Sequence, residues 1–372
     1  MLSLLFGLAI VLITSFIIAT IVKVKYSQSN KHKEHNECCH EFEPTNVGPT
    51  KVVPIYLNMN ATYKSINSTD VAYPIVAEKL EQEQDAKNYI KRYFGADPSD
   101  EHVKVIFVSS ATEAIATTFH WIKHYYPTVE VYGSCFDHSS IKDNCELYGL
   151  QYIDDRYELT KRAKAMVITQ VNPQTGEIYE PDLDEINQYE FAVFDVSQSI
   201  GKVDLDLSSI ANDYTVFFSL HKIGGNKNCG ILLIRDTNHK FIPLIAGKQQ
   251  NHLRGGTYDQ ESYLNIKKLI KKYENEYNYK RCKVTWNKFM KGLEGLNVYK
   301  PIYRHLYTTL LITYEDCVLD RIAELSKENI FVSAATSCLG SEDTNHIRIS
   351  FINPSLTNEQ ITHICEILQK NK

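Results

Sequence analysis

The chain has 372 residues, 43% of them hydrophobic and 23% charged, enough for one large or two medium domains with a sizeable core. Its formal net charge of −5 argues against a nucleic-acid or polyanion partner. Nine scattered cysteines, an odd count, suit free thiols in a reducing compartment rather than a disulfide framework.

The run Leu2–Val22 is almost wholly apolar, about 21 residues, which is the length a helix needs to cross a bilayer. No basic residue precedes it, whereas Lys23, Lys25, Lys31 and Lys33 follow. A cleaved signal peptide wants its basic residues first. The expectation is therefore a membrane anchor over residues 1–25, single-pass, with the rest of the chain on the cytosolic side by the positive-inside rule. Residues 26–50 read as a polar linker. They carry His32, His35, Cys38, Cys39 and His40, but adjacent cysteines without a distant partner pair fit a closed tetrahedral site poorly, so no metal is expected.

Val103–Val108 reads as a buried strand. Ser110-Ala111-Thr112-Glu113 follows it as a capping box, and Ile115, Phe119, Ile122 and Tyr126 continue a helix. A helix that starts just after a strand offers N–H groups and a favourable dipole to a phosphate. Further strands are predicted at Val129–Tyr132, Ala165–Val171, Phe191–Val196, Thr215–Leu220 and Gly230–Arg235. Apolar strands separated by helical stretches predict an α/β fold with a mostly parallel sheet covered on both faces. From Ile266 to about Lys291 the pattern is helical and polar, with Lys267, Lys268, Lys271 and Lys272 on a solvated face. Strands at Tyr307–Tyr314, Phe331–Ser333 and His346–Ile352, with helices at Leu319–Glu328 and Glu359–Gln369, then describe a smaller α+β domain. The expected division is a large domain over 51–265 and a connecting helix with a small C-terminal domain over 266–372. Residues 51–64 are open to packing with the small domain.

Ligands of such sheets bind at the carboxyl ends of the strands. Thr112, His138, Asn172, Asp195, Gln198, Ser219, His221 and Lys222 all fall there. Asp195 ends one buried strand, and Ser219-Leu220-His221-Lys222 ends the next. An acid and a lysine in this order suit pyridoxal phosphate. The lysine amine carries the cofactor as a Schiff base, and the carboxylate keeps the pyridine nitrogen protonated so that the ring draws electrons.

With these residues in view, the chain from about Ile55 onward resembles the cysteine desulfurases, the NifS-like branch of the class V aminotransferases. The resemblance rests on Asn60-Ala61-Thr62, Ser110-Ala111-Thr112-Glu113, Asp195-Val196-Ser197-Gln198-Ser199-Ile200-Gly201-Lys202, Ser219-Leu220-His221-Lys222 and Arg254-Gly255-Gly256-Thr257. It implies the fold of type I pyridoxal phosphate enzymes. It also implies that Lys222 is the Schiff-base lysine, that Asp195 is the pyridinium partner, and that His138 stacks on the ring. Gln198 is implied to bind the phenolic oxygen. Ala111, Thr112, Ser219 and His221 are implied to hold the phosphate, with Thr257 reaching over from the other subunit of a homodimer. Arg348 is implied to clamp the substrate carboxylate as a bidentate fork.

Val332-Ser333-Ala334-Ala335-Thr336-Ser337-Cys338 resembles the loop that ends in the family's sulfur-accepting cysteine. By that register Cys338 attacks the sulfur of bound L-cysteine, leaves L-alanine, and passes a persulfide to an acceptor protein. The chain departs from the pattern in five places, two of them being Asn58 where aspartate is usual and a loop of only nine residues between Cys338 and Arg348. Ser110 stands where glycine is usual, and Tyr63–Pro74 is shorter than the family's corresponding stretch. Strict alignment puts Pro173 on the ring-contacting asparagine, so Asn172 is its substitute. Three readings follow: a membrane-anchored cysteine desulfurase; an aminotransferase or selenocysteine lyase that ignores Cys338; or a catalytically degenerate relative.

Overall fold

The computed structural model describes residues 55–56, 76–154, 163–180, 182–334 and 345–370. Its centre is a seven-stranded sheet. In chain order the strands are β1 (Val103–Val108), β2 (Glu130–Tyr132), β3 (Gln151–Ile153), β4 (Ala163–Thr169), β5 (Phe191–Asp195), β6 (Asp213–Ser219) and β7 (Gly230–Arg235). Across the sheet they lie β1-β7-β6-β5-β4-β2-β3. The pairs from β6 through β3 are all parallel, and β7 is antiparallel to both β6 and β1. Between Ser219 and Gly230 the chain makes one 3-10 turn, Leu220–Ile223, closed by Gly224 at φ 91°. That connection is too short for the crossover helix a parallel return requires, so β7 comes back antiparallel.

The sheet is mostly parallel, as expected for the α/β fold of type I pyridoxal phosphate enzymes. Alternate residues feed two buried layers. On β1, Val103, Val105 and Phe107 join Phe194, Phe218, Leu233 and Tyr263 on one face. Ile106 and Val108 join Phe119, Trp121, Val193, Phe217 and Leu232 on the other. Burial on both sides explains why these strands read as continuous apolar runs. Five helices matter for the site and its surroundings: α1 (Val76–Tyr93), α2 (Ala111–Tyr125), α3 (Ser139–Leu147), α4 (Ile266–Glu276) and α5 (Tyr279–Gly292).

A second, four-stranded antiparallel sheet follows. Its strands are β8 (Asn297–Val298), β9 (Thr309–Thr313), β10 (Ser333–Ala334) and β11 (His346–Ser350), with α6 (Leu319–Lys327) and α7 (Asn358–Gln369) beside them. Its core includes Phe289, Leu310, Ile312, Leu325, Ile347, Ile349, Ile364 and Leu368. Ile55–Tyr56 pairs in parallel with Ile330–Phe331. The single connecting helix predicted from Ile266 is two. It breaks at Tyr277-Asn278, where the Asn278 side chain accepts from Arg281 N–H at 2.9 Å and caps α5. A side chain that satisfies a new helix start costs the old helix its continuation.

The expectation of a single-pass membrane protein is corrected. No helix among the described residues is long and apolar enough to cross a membrane. The 18-residue α1, VAEKLEQEQDAKNYIKRY, shows why: its charges recur on every turn, and such side chains are expensive within a bilayer. The run Leu2–Val22, on which the anchor, the membrane partner and the cytosolic orientation rested, lies outside the described residues, as does the 26–50 linker.

Candidate active site

The strand ends of β5 and β6 and the N-terminus of α2 enclose a cavity of about 330 Å3. Lys222 enters it from the 3-10 turn after β6, and Asp195 from the last position of β5. Register fixes their spacing, since Asp195 is level with Phe217 on the neighbouring strand. Asp195 is buried, and its Oδ1 accepts from Ser197 N–H at 2.8 Å. His138, Gln198 and Arg348 line the same cavity.

The floor is built from backbone. The Ser219 hydroxyl accepts from Ala111 N–H at 3.0 Å, and the Ser110 hydroxyl accepts from Glu113 N–H at 3.1 Å. Only half of the predicted capping box forms. Glu113 turns away to accept from Ser109 N–H at 2.8 Å and from Arg254 at 2.8 and 3.1 Å. Burial alone would raise the Glu113 carboxyl, but its hydrogen bonds with Arg254 and Ser109 hold it below the usual range. The close approach of β7 to this floor needs Gly230, because a Cβ there would lie 2.7 Å from the Ser110 carbonyl carbon.

His221 has a buried Nδ1 with no hydrogen-bond partner among the described residues. Burial, then the charges of Lys222 and Lys227, push its imidazole down to about 4, so the ring is neutral at pH 7. Lys202 is likewise pushed down to about 7 by burial and then by the Lys222 charge. An orphaned imidazole nitrogen, two hydroxyls and a helix N-terminus beside a lysine and a carboxylate form a donor set that fits a phosphate-bearing pyridine.

Arg348 is buried on β11, and its Nη1 donates to the Pro173 carbonyl at 3.2 Å. The turn that presents Pro173 is shaped by Asn172, whose Oδ1 accepts from Gln174 N–H at 2.8 Å and Thr175 N–H at 3.2 Å. Asn172 lines a neighbouring cavity of about 700 Å3 together with Phe136, Glu177 and Arg304, while Pro173 lines the cofactor-sized one. The side chain named as the ring contact is thus occupied by its own turn. Thr257 is exposed and is not among the described residues lining the smaller cavity. Cys338 lies outside the described residues.

Sequence reasoning missed several residues around this cavity. Arg254 was noted only as part of a motif, yet it ties Glu113 at the start of α2. Asp137 and Tyr152 went unnoticed. Asp137 is fully buried, and Tyr152 donates to it at 2.7 Å. The one available signal was the Asp137-His138 doublet itself.

The profile of the family Aminotransferase class-V matches residues 49–363. Among curated proteins, the cysteine desulfurase IscS of Klebsiella pneumoniae is 22% identical over 358 residues, covering 85% of this chain and 87% of the relative. IscS of Buchnera aphidicola is 29% identical over 197 residues, and that match spans 46% of this chain and 47% of the relative. Among solved structures, a NifS-like protein from Rickettsia africae superposes with a TM-score of 0.71 at 20% identity, over 86% of this chain and 99% of its own. A cysteine desulfurase from Thermococcus onnurineus gives 0.67 at 16% identity, over 85% and 94%. These last two establish the fold. With the profile spanning residues 49–363, the chain belongs to the class V aminotransferase family, pyridoxal-phosphate-dependent enzymes of the transferase type.

Proposed function

We propose that the chain binds pyridoxal phosphate on Lys222 and desulfurates L-cysteine, leaving L-alanine and a persulfide on Cys338. The observation that carries this reading is the meeting of Asp195, Lys222, His138 and Arg348 around one cavity. Pyridoxal phosphate, when bound, supplies an electron sink that makes the substrate Cα–H acidic. Asp195 holds a proton at the pyridine nitrogen. Ala111, Thr112, Ser219 and His221 hold the phosphate, and Gln198 the phenolic oxygen. Arg348 grips the substrate carboxylate, and Lys222 and His138 move protons beside it. The Cys338 thiolate attacks the substrate sulfur. An S–S bond forms, the substrate C–S bond breaks, and Cβ gains a proton to become the methyl group of alanine.

The pairing of β10 with β11 supports the part given to Cys338. Ser333 is level with Arg348, and Ala334 with Ile347. Four chain steps separate Ala334 from Cys338, a reach of at most about 14 Å. The exposed Thr257 suits service to a second copy's phosphate site in a homodimer, and an acceptor protein would take the persulfide. The test is Cys338→Ser in the full chain reconstituted with pyridoxal phosphate. The cofactor absorbance should be kept and sulfide release from L-cysteine lost, because a hydroxyl lacks the acidity and sulfur affinity of a thiol. Full sulfide release by that variant would favour an aminotransferase or lyase that ignores this thiol.

A further inference from the structure

We propose that Asp137 and Ser140 are positioning residues that lock His138, Asp137 through its backbone and Ser140 through its ring, so that the imidazole presents an Nε2–H to the cavity. The catalytic use of that proton rests on the desulfurase reading above, but the lock itself does not.

The ring comes first. His138 is the N-cap of α3, and its Nδ1 accepts from Ser140 N–H at 3.2 Å. A backbone N–H can only donate, so Nδ1 carries a lone pair and no hydrogen. The neutral ring then has its single proton on Nε2. The Ser140 hydroxyl lies 2.7 Å from the same nitrogen, and with Nδ1 bare it too must donate. Ser140 is itself buried and lines the cavity beside His138. His138 is exposed, so these two donors are the main restraint on its ring among the described residues. Without them an exposed imidazole exchanges tautomers and rotamers freely.

The backbone is held from the other side. Asp137 is fully buried at the turn that delivers His138. Its Oδ1 accepts from the Thr169 hydroxyl at the end of β4 at 2.6 Å. Its Oδ2 accepts from Ser134 N–H at 2.9 Å and from the Tyr152 hydroxyl on β3 at 2.7 Å. Burial, then the Asp137 charge, push the Tyr152 phenol well above its ordinary range, so it remains a donor. Three hydrogen bonds to one buried carboxylate thus pin the residue before His138 to β3, to β4 and to its own turn. Gly133 is part of the arrangement. A Cβ there would sit 2.2 Å from the Tyr152 hydroxyl and 2.5 Å from Asp137 Oδ2.

The proton position can be read without cofactor or substrate. In apo-protein labelled with 15N-histidine, and with His138 assigned by His138→Gln, wild type should show a bare Nδ1 and a protonated Nε2. Ser140→Ala removes one of the two donors and should shift the ring toward a mixture of tautomers. A wild-type ring with its proton on Nδ1, or a Ser140→Ala spectrum identical to wild type, would overturn the ring half of the proposal. For the backbone half, Tyr152→Phe keeps the ring volume and removes one donor to Asp137. In the loaded enzyme kcat should fall several-fold while KM for L-cysteine stays within about twofold. Asp137→Asn should lower kcat further. If Asp137→Asn does not fold, Tyr152→Phe decides alone, and unchanged kcat in that variant would sink the backbone half. A failed desulfurase reading would leave the tautomer result standing, so the two failures are distinguishable.

Discussion

The proposed cofactor cup and the proposed carboxylate clamp are held by different means. Lys222, Asp195 and Ser219 sit on strand ends or in the turn just beyond, where sheet register alone fixes their spacing. The hydrogen bonds of Asp195 and Ser219 run to nearby backbone amides. Arg348 sits in a different sheet and reaches the site by donating to Pro173, 175 positions away in sequence. That carbonyl is presented by a turn that Asn172 shapes and that is sewn to residues 304–306. Ile178 N–H donates to Arg304, and Leu306 N–H donates to Gly176. Gly176 has φ 75°, and a Cβ on it would lie 2.8 Å from the Leu306 carbonyl oxygen. A register tolerates substitution as long as the strand survives. A turn depends on particular side chains. Changes in the cup should therefore remove chemistry without moving anything, and changes in the clamp should misplace an intact guanidinium.

The largest effect tests the cup. Lys222→Ala should cost on the order of 10³-fold or more in turnover. Borohydride should then no longer fix the cofactor to the chain, and the melting temperature of the apo-protein should barely move. A large drop in melting temperature would mean that Lys222 holds structure as well as chemistry, and the contrast between the regions would weaken. Next comes the clamp. Arg348→Lys should raise KM for L-cysteine by roughly 10- to 100-fold, the cost of exchanging a two-pronged charged contact for a point charge. Its effect on kcat should be smaller. Steady-state kinetics separate the two signatures.

A smaller effect probes the turn rather than the arginine. Asn172→Ala removes the acceptor for two backbone amides in a buried turn, a loss of about 1–2 kcal/mol. It should raise KM several-fold although Asn172 faces the neighbouring cavity. Asn172→Asp retains the acceptor oxygens and should restore KM. If both variants behave like wild type, the Pro173 carbonyl is placed by the 304–306 stitching alone.

These same differences explain what the sequence disclosed. Strand ends were legible because strands buried on both faces are unbroken apolar runs, and a polar residue after one stands out. Asp195 and Lys222 were found that way. Arg348 was reached only through resemblance, since nothing local marks a buried arginine on an antiparallel strand. The choice between Asn172 and Pro173 turned on one residue of register inside a turn, which hydrophobic pattern does not encode. The structure gives Asn172 to the turn and Pro173 to the cavity. Asp137 stayed hidden because its partners Tyr152 and Thr169 lie 15 and 32 positions away, beyond any local pattern. The break at Asn278 was missed because the helices on either side are both polar, and a capping asparagine among polar residues carries little contrast. The three-residue β3 was missed because an edge strand of that length has too few positions to show a period.

The smallest predicted effect returns to the cup and concerns its floor in the apo-protein. His221 is pushed down to about 4, from an ordinary 6.5, by burial and then by the Lys222 and Lys227 charges. Below about pH 6.5 the unfolded chain takes up a proton at this residue, and the folded chain does not until about pH 4. The stability that depends on a neutral His221 is therefore complete above pH 6.5 and drains away as pH falls toward 4. Because the ring is partly exposed, solvent screening cuts the full linkage value to on the order of 1 kcal/mol. Urea melts of apo wild type and His221→Asn at pH 7 and pH 5 measure it directly. Wild type should lose more stability than the variant across that interval, by about this amount. Equal losses would mean that the ring protonates in the folded cup as readily as in water, and that the two lysine charges are screened from it.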